Sequence, residues 1–149
     1  MLWLEHYFVE HTHQTRVGDC LSAEASLISG VVQGSGIGSV FFLIFVDELA
    51  KVLKHHGVVV KLFADDIKVY LEICNVDNAI QLQEALDLIV EWADDWQLGI
   101  SIDKCNKLSI GKRQDITKYY INGTELPCLP HCRDLGVTIT SDLSPSIHI

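Results

Sequence analysis

The sequence is short of proline (three in 149 residues), of methionine (one) and of basic side chains, and it has no long hydrophobic run. With so little proline, 48% hydrophobic residues and only 21% charged ones, intrinsic disorder is excluded. The longest apolar run, Val40–Val46, covers seven residues and ends at Asp47 and Glu48; a spanning helix needs about 18 or more. The start, Met1-Leu2-Trp3-Leu4-Glu5-His6, has no basic region ahead of an apolar stretch, so no secretory signal is expected. Eleven Lys and Arg against 20 Asp and Glu give a net charge of −9 and a pI near 5.0. That balance excludes a protein that coats nucleic acid by net charge alone, though not a local basic patch or a metal-bridged phosphate. The five cysteines (20, 74, 105, 128 and 132) are odd in number and scattered, and no second pair completes a zinc set around Cys128, His131 and Cys132. Reduced thiols and an intracellular location, nuclear or cytoplasmic, are the expectation; neither secretion nor a membrane is.

What is present is one average domain's length of chain, enough to bury a core. Residues 2–9 read as the tail of a helix. Gln14–Val17 reads as a strand closed by a Gly18-Asp19 turn. A glycine-rich loop, Ser29–Gly38, precedes a helical pattern from Val40 to Lys54. Its glycines at 34, 36 and 38 do not make G-x-G-x-x-G. Two β-rich runs, Val58–Phe63 and Ile67–Ile73, flank Ala64-Asp65-Asp66 and predict a hairpin. Asn75 or Asp77 caps the next helix, whose stripe of Leu82, Ala85, Leu86, Ile89, Trp92, Ala93 and Trp96 is expected to be core. Strands are expected at Leu108–Ile110, Tyr119–Ile121, Thr124–Leu126 and Leu135–Thr140, with an Asn122-Gly123 turn. The plan is α+β, an antiparallel sheet with helices packed on one face.

Charge is segregated. Residues 72–95 carry seven acids and no base; 104–118 carry Lys104, Lys107, Lys112, Arg113 and Lys118 against Asp115 alone. The basic strip suits either a phosphate backbone or a solvated strand edge. Asp65-Asp66 is the most informative pair. Aspartate favours turns for its own backbone hydrogen bonds, but adjacent carboxylates also crowd negative charge, which a bound cation relieves. Hard oxygen ligands suit Mg²⁺, held by one or two carboxylates plus substrate phosphates.

Phe63-Ala64-Asp65-Asp66 resembles the [F/Y]-x-D-D motif of reverse transcriptases, particularly those of non-LTR (LINE-type) retrotransposons. The neighbours fall in family order. Ser29-Gly30-Val31-Val32-Gln33-Gly34-Ser35, Gly38 and Phe42–Leu49 resemble the loop and helix ahead of that motif. Trp92–Trp96 and Ile100-Ser101-Ile102-Asp103-Lys104-Cys105 resemble the helix and lysine-bearing segment after it. Cys132–Val137 resembles the primer-gripping hairpin, and Trp3 to Val17 the lead-in. The resemblance implies a reverse-transcriptase-like palm, truncated at its N-terminus: a lead-in at 1–28, a palm core at 29–111 and a β-rich primer-grip region at 112–149. It implies that Asp65 and Asp66 serve Mg²⁺, that Gln33, Gly34 and Ser35 face the incoming nucleotide and template, and that Lys104 donates to departing pyrophosphate. Leu135 and Gly136 would shape the primer-gripping turn, and Phe63 would pack beneath the corner. Partners would be an RNA template, a DNA primer and dNTP.

The sequence departs from the family pattern at Val32 and Ser39, where prolines are expected, and at Gly36, usually bulkier. More consequential, the family's first catalytic aspartate lies on an upstream strand. The acids before Ser29 are Glu5, Glu10, Asp19 and Glu24, none in an apolar strand pattern. Two-metal nucleotidyl transfer needs carboxylates from both strands, so a fragment inactive alone is expected. The alternatives are a non-catalytic nucleic-acid- or protein-binding palm remnant using the 104–118 strip, and a translated remnant without function. A receiver domain is more remote, since it needs a βαβ array.

Overall fold

The computed structural model describes residues 11–27, 34–111 and 117–144. The chain divides into two compact units, Met1–Asp47 and Glu48–Ile149. In the first, β1 (Thr12–His13) pairs with β4 (Ala25–Ser26), and β2 (Arg16–Val17) pairs with β3 (Cys20–Leu21) through the expected Gly18-Asp19 turn, all antiparallel. The expected helix at 2–9 lies outside the described residues.

Helix α1 runs Gly38–His55. Ser35 begins it: its hydroxyl oxygen accepts from the Gly38 N–H at 3.0 Å, satisfying an amide that has no partner within the helix. Lys54 and His55 occupy its last turn, where positive charge complements the carbonyl end. Strands β5 (Val59–Phe63) and β6 (Asp66–Tyr70) follow as an antiparallel hairpin, registered from Val59↔Tyr70 to Phe63↔Asp66. Helix α2, Val76–Asp95, is capped by Asn75, whose side chain accepts from the Asn78 N–H at 2.9 Å.

Strand alternation decides where the core sits. Val60, Leu62, Ile67 and Val69 share one face of the β5–β6 hairpin. They pack with Leu49 and Leu53 of α1 and Ala85 and Ile89 of α2, three of which (Leu49, Leu53, Ala85) are completely buried. On the other face Val59, Lys61, Phe63, Asp66 and Tyr70 are exposed and Lys68 is partly covered, and the apolar packing against the helices is on one face. A second cluster uses another side of α2: Ala79 with Tyr119, Ile121 and Leu126. Here β8 (Tyr120–Ile121) and β9 (Thr124–Glu125) form a hairpin through Asn122-Gly123. Gln83 of α2 ties it down, its carboxamide accepting from Tyr120 N–H and donating to Tyr120 C=O, both at 2.9 Å.

The expected sheet is not continuous. Among the described residues the strands pair two by two, and β7 (Lys107–Leu108) pairs with β10 (Cys128–Leu129) in parallel. Pro127 and Pro130 flank β10, and a residue without an N–H cannot extend a ladder. The last strand begins later than expected: β11 (His131–Asp134) pairs with β12 (Val137–Thr140), and Leu135-Gly136 is the turn between them. Trp96 also departs from expectation. It follows the end of α2 at φ −94°, ψ 5°, so the helical stripe stops short of it and it stands 47% exposed, its ring 6.5 Å from that of Trp92.

Candidate functional site

The acidic corner is built by the β5–β6 hairpin. Ala64 and Asp65 make a two-residue turn, and Asp66 is already the first residue of β6, opposite Phe63, rather than part of the turn. Both carboxylate residues are exposed. Ala64 takes φ +50°, a left-handed conformation that costs a residue with a Cβ about 1–2 kcal/mol. Phe63 does not pack beneath the corner: its register puts it on the outer face beside Asp66, 61% exposed, because Leu62 and Ile67 occupy the inner face.

Two exposed carboxylates on adjacent residues fit a hard divalent cation that takes one or two protein oxygens and completes its shell with phosphate and water. They do not form a closed cage; among the described residues no group of three or more His, Cys, Asp or Glu converges to hold a metal.

Sequence reasoning missed the cation next to this corner. Lys68, two residues along β6 from Asp66, forms an ion pair with Asp134 at the end of β11. Both side chains are largely covered, 24% and 20% exposed. The hydrogen bond to Asp134 raises the Lys68 pKa most; desolvation opposes it, and the charges of Asp134, Tyr70 and Asp66 add to it. Cys132 is held above an ordinary thiol, first by burial and then by Asp134, with Lys68 opposing. Alternation along β6 could have placed Lys68 on the face of Asp66, but no local signal points to Asp134.

The other expected site residues fare differently. Gln33 lies outside the described residues. Gly34 and Ser35 belong to the Met1–Asp47 unit, where Gly34 stands at φ +84° and Ser35 caps α1. Lys104 ends a short 3-10 turn, Ile102–Lys104, and is exposed, with no ion pair to Asp65 or Asp66. Leu135 and Gly136 take φ +47° and +88°, a tight hairpin turn adjoining Asp134. The basic strip is partly used internally. Lys107 donates to the Thr117 carbonyl at 2.8 Å and sits 5.0 Å from the Tyr119 ring centre. Lys118 pairs with Glu125 at 2.9 Å, which raises its pKa. Lys112 and Arg113 lie outside the described residues. No described helix is long and apolar enough to cross a membrane.

A hairpin presenting paired carboxylates, backed by two helices, makes an α+β domain. A family model described as reverse transcriptase (RNA-dependent DNA polymerase) matches residues 3–139, and the chain belongs to that family. Its relatives include the RNA-directed DNA polymerase from mobile element jockey of Drosophila funebris, 31% identical over 137 residues, covering 87% of this chain and 15% of that protein. The probable RNA-directed DNA polymerase from transposon X-element of Drosophila melanogaster is 27% identical over 98% of this chain and 16% of its own length. The jockey polymerase of Drosophila melanogaster is 25% identical, over 99% and 17% respectively. The chain thus spans 15–17% of the length of these relatives. No solved structure matches it.

Proposed function

We propose that this chain is a segment of the palm of a non-LTR retrotransposon polymerase, contributing one carboxylate pair to template-directed transfer of deoxynucleotides onto a DNA primer along an RNA template. The observation that carries this reading is the exposed Asp65-Asp66 corner of the β5–β6 hairpin inside a family match covering residues 3–139. Asp65 and Asp66 would hold Mg²⁺, which when bound supplies charge stabilisation for the attacking and leaving oxygens. The protein's own part is positional. The buried inner face of β5–β6 fixes the hairpin on α1 and α2, and the turn lifts the carboxylates clear of it. Leu135-Gly136 would meet the primer; Lys104 would reach the pyrophosphate only with substrate present. The internal pairing of Lys107 and Lys118 disfavours a separate phosphate-binding role for the 104–118 strip.

Mn²⁺, standing in for Mg²⁺, should broaden the amide resonances of residues 64–67 in the isolated chain, and Asp65→Asn should abolish the effect. An unbroadened wild-type spectrum would overturn the metal reading. In primer extension on an RNA template the isolated chain should show no product, because its corner is half of the carboxylate set. Mg²⁺-dependent extension that disappears in Asp65→Ala would show instead that the set is complete.

A further inference from the structure

We propose that Asp134 is a positioning residue that holds Lys68 off the acidic corner, leaving Asp65 and Asp66 free for a divalent cation. The inference rests on the metal reading above and concerns what keeps that site open. Asp66, Lys68 and Tyr70 alternate along β6, so they share one face of the hairpin, and Asp66 and Lys68 are about 6–7 Å apart along the strand. A lysine ammonium on its flexible four-carbon stem reaches a carboxylate at that separation. Lys68 thus has two carboxylates to choose from, Asp66 on its own strand and Asp134 from a hairpin 66 residues later, and it is paired with Asp134.

Three features fix that choice. Lys61 stands directly across from Lys68 in the ladder; like charges so placed repel, and the Asp134 carboxylate offsets the repulsion. Both members of the Lys68–Asp134 pair are mostly covered, 24% and 20% exposed, so water screens it less than an exposed pair. Asp134 is also the last residue of β11, opposite Val137, where the closed ladder limits its movement. Without Asp134, Asp66 is the carboxylate left beside the Lys68 ammonium on its face among the described residues, and the ammonium would occupy the oxygens a metal needs.

Mn²⁺ titration of the 149-residue chain, read by the loss of free-ion electron paramagnetic resonance signal, tests this apart from activity. Asp134→Asn should weaken binding about fivefold, the effect of one unit charge at a few ångströms in a watery environment. Lys68→Met should bind at the wild-type level or tighter, and the double variant should match Lys68→Met. If the ion pair only braces the fold, Lys68→Met and Asp134→Asn would lose affinity equally, which overturns the positioning role, as would an Asp134→Asn titration equal to wild type. Wild-type binding that is absent or indifferent to Asp65→Asn is a different failure: it removes the metal reading and this inference with it. Should Asp134→Asn fail to fold, Lys68→Met alone decides, retained affinity supporting the role and lost affinity ending it.

Discussion

Two hairpins flank α2, each turning in two residues, and their turns are built from opposite materials. The β8–β9 hairpin uses Asn122-Gly123, at φ +48° and +71°. These residues enter left-handed backbone at little cost, and the turn they make follows the natural twist of the strands. The β5–β6 hairpin uses Ala64-Asp65, with alanine at φ +50°. The first turn is what local preference selects. The second is held against local preference by what surrounds it: four apolar residues on the inner face packed against Leu49, Leu53, Ala85 and Ile89. Strain of this kind persists where structure over-determines it and gathers at functional positions. Here it sits beside the carboxylates.

The largest effect is expected in the packing behind β8–β9. Tyr119, 2% exposed, is the largest side chain in the cluster behind β8–β9. Tyr119→Ala should cost about 3–5 kcal/mol in urea unfolding, while Mn²⁺ affinity at the corner stays intact in whatever fraction remains folded. A parallel loss of affinity would mean that the two hairpins are not separately supported. Next in size is Gly123→Ala. Open space surrounds this glycine, and a Cβ added there would meet nothing within 4 Å, so the cost comes from φ +71° alone. About 1–2 kcal/mol is expected from the same unfolding measurement; a smaller loss would show that the β8–β9 turn relaxes.

What was legible in the sequence follows the same line between local and distant causes. The Asn122-Gly123 turn, the Asn75 cap and the two helices each depend on residues within a few positions of one another, and the alternation of β5 and β6 likewise places the acidic hairpin, though its turn is held by distant packing. The two-point bond between Gln83 and Tyr120 and the Lys68–Asp134 pair join residues 37 and 66 positions apart, and nothing in a periodic pattern announces them. The parallel pairing of β7 with β10 is hidden for the same reason. Phe63 and Trp96 are hydrophobic without being buried. The register turned one outward, and the other falls just past the end of its helix.

Ala64→Gly is the reciprocal of the glycine substitution. Relief of left-handed strain should exceed the added freedom of glycine in the unfolded chain, for a net gain of about 0.5–1 kcal/mol in thermal or urea unfolding. A freer turn holds Asp65 less firmly, so Mn²⁺ affinity should fall as stability rises. If both rise together, the alanine serves no purpose at the corner and the contrast between the hairpins is only one of sequence history.

The smallest effect is expected at Lys118, which pairs with Glu125 across the open side of the β8–β9 hairpin, their side chains 64% and 46% exposed. Water and salt screen such a pair, and two long side chains lose freedom in making it. Lys118→Gln should therefore shift the unfolding midpoint barely at all, even at low ionic strength. The Lys68–Asp134 pair joins the same two kinds of charge, but with both side chains mostly covered. Removing Asp134 leaves a largely shielded ammonium without its nearest anion, so Asp134→Asn should cost clearly more stability than Lys118→Gln. Equal shifts would mean that water reaches both pairs alike, and that the Lys68–Asp134 pair does not fix β11 to β6.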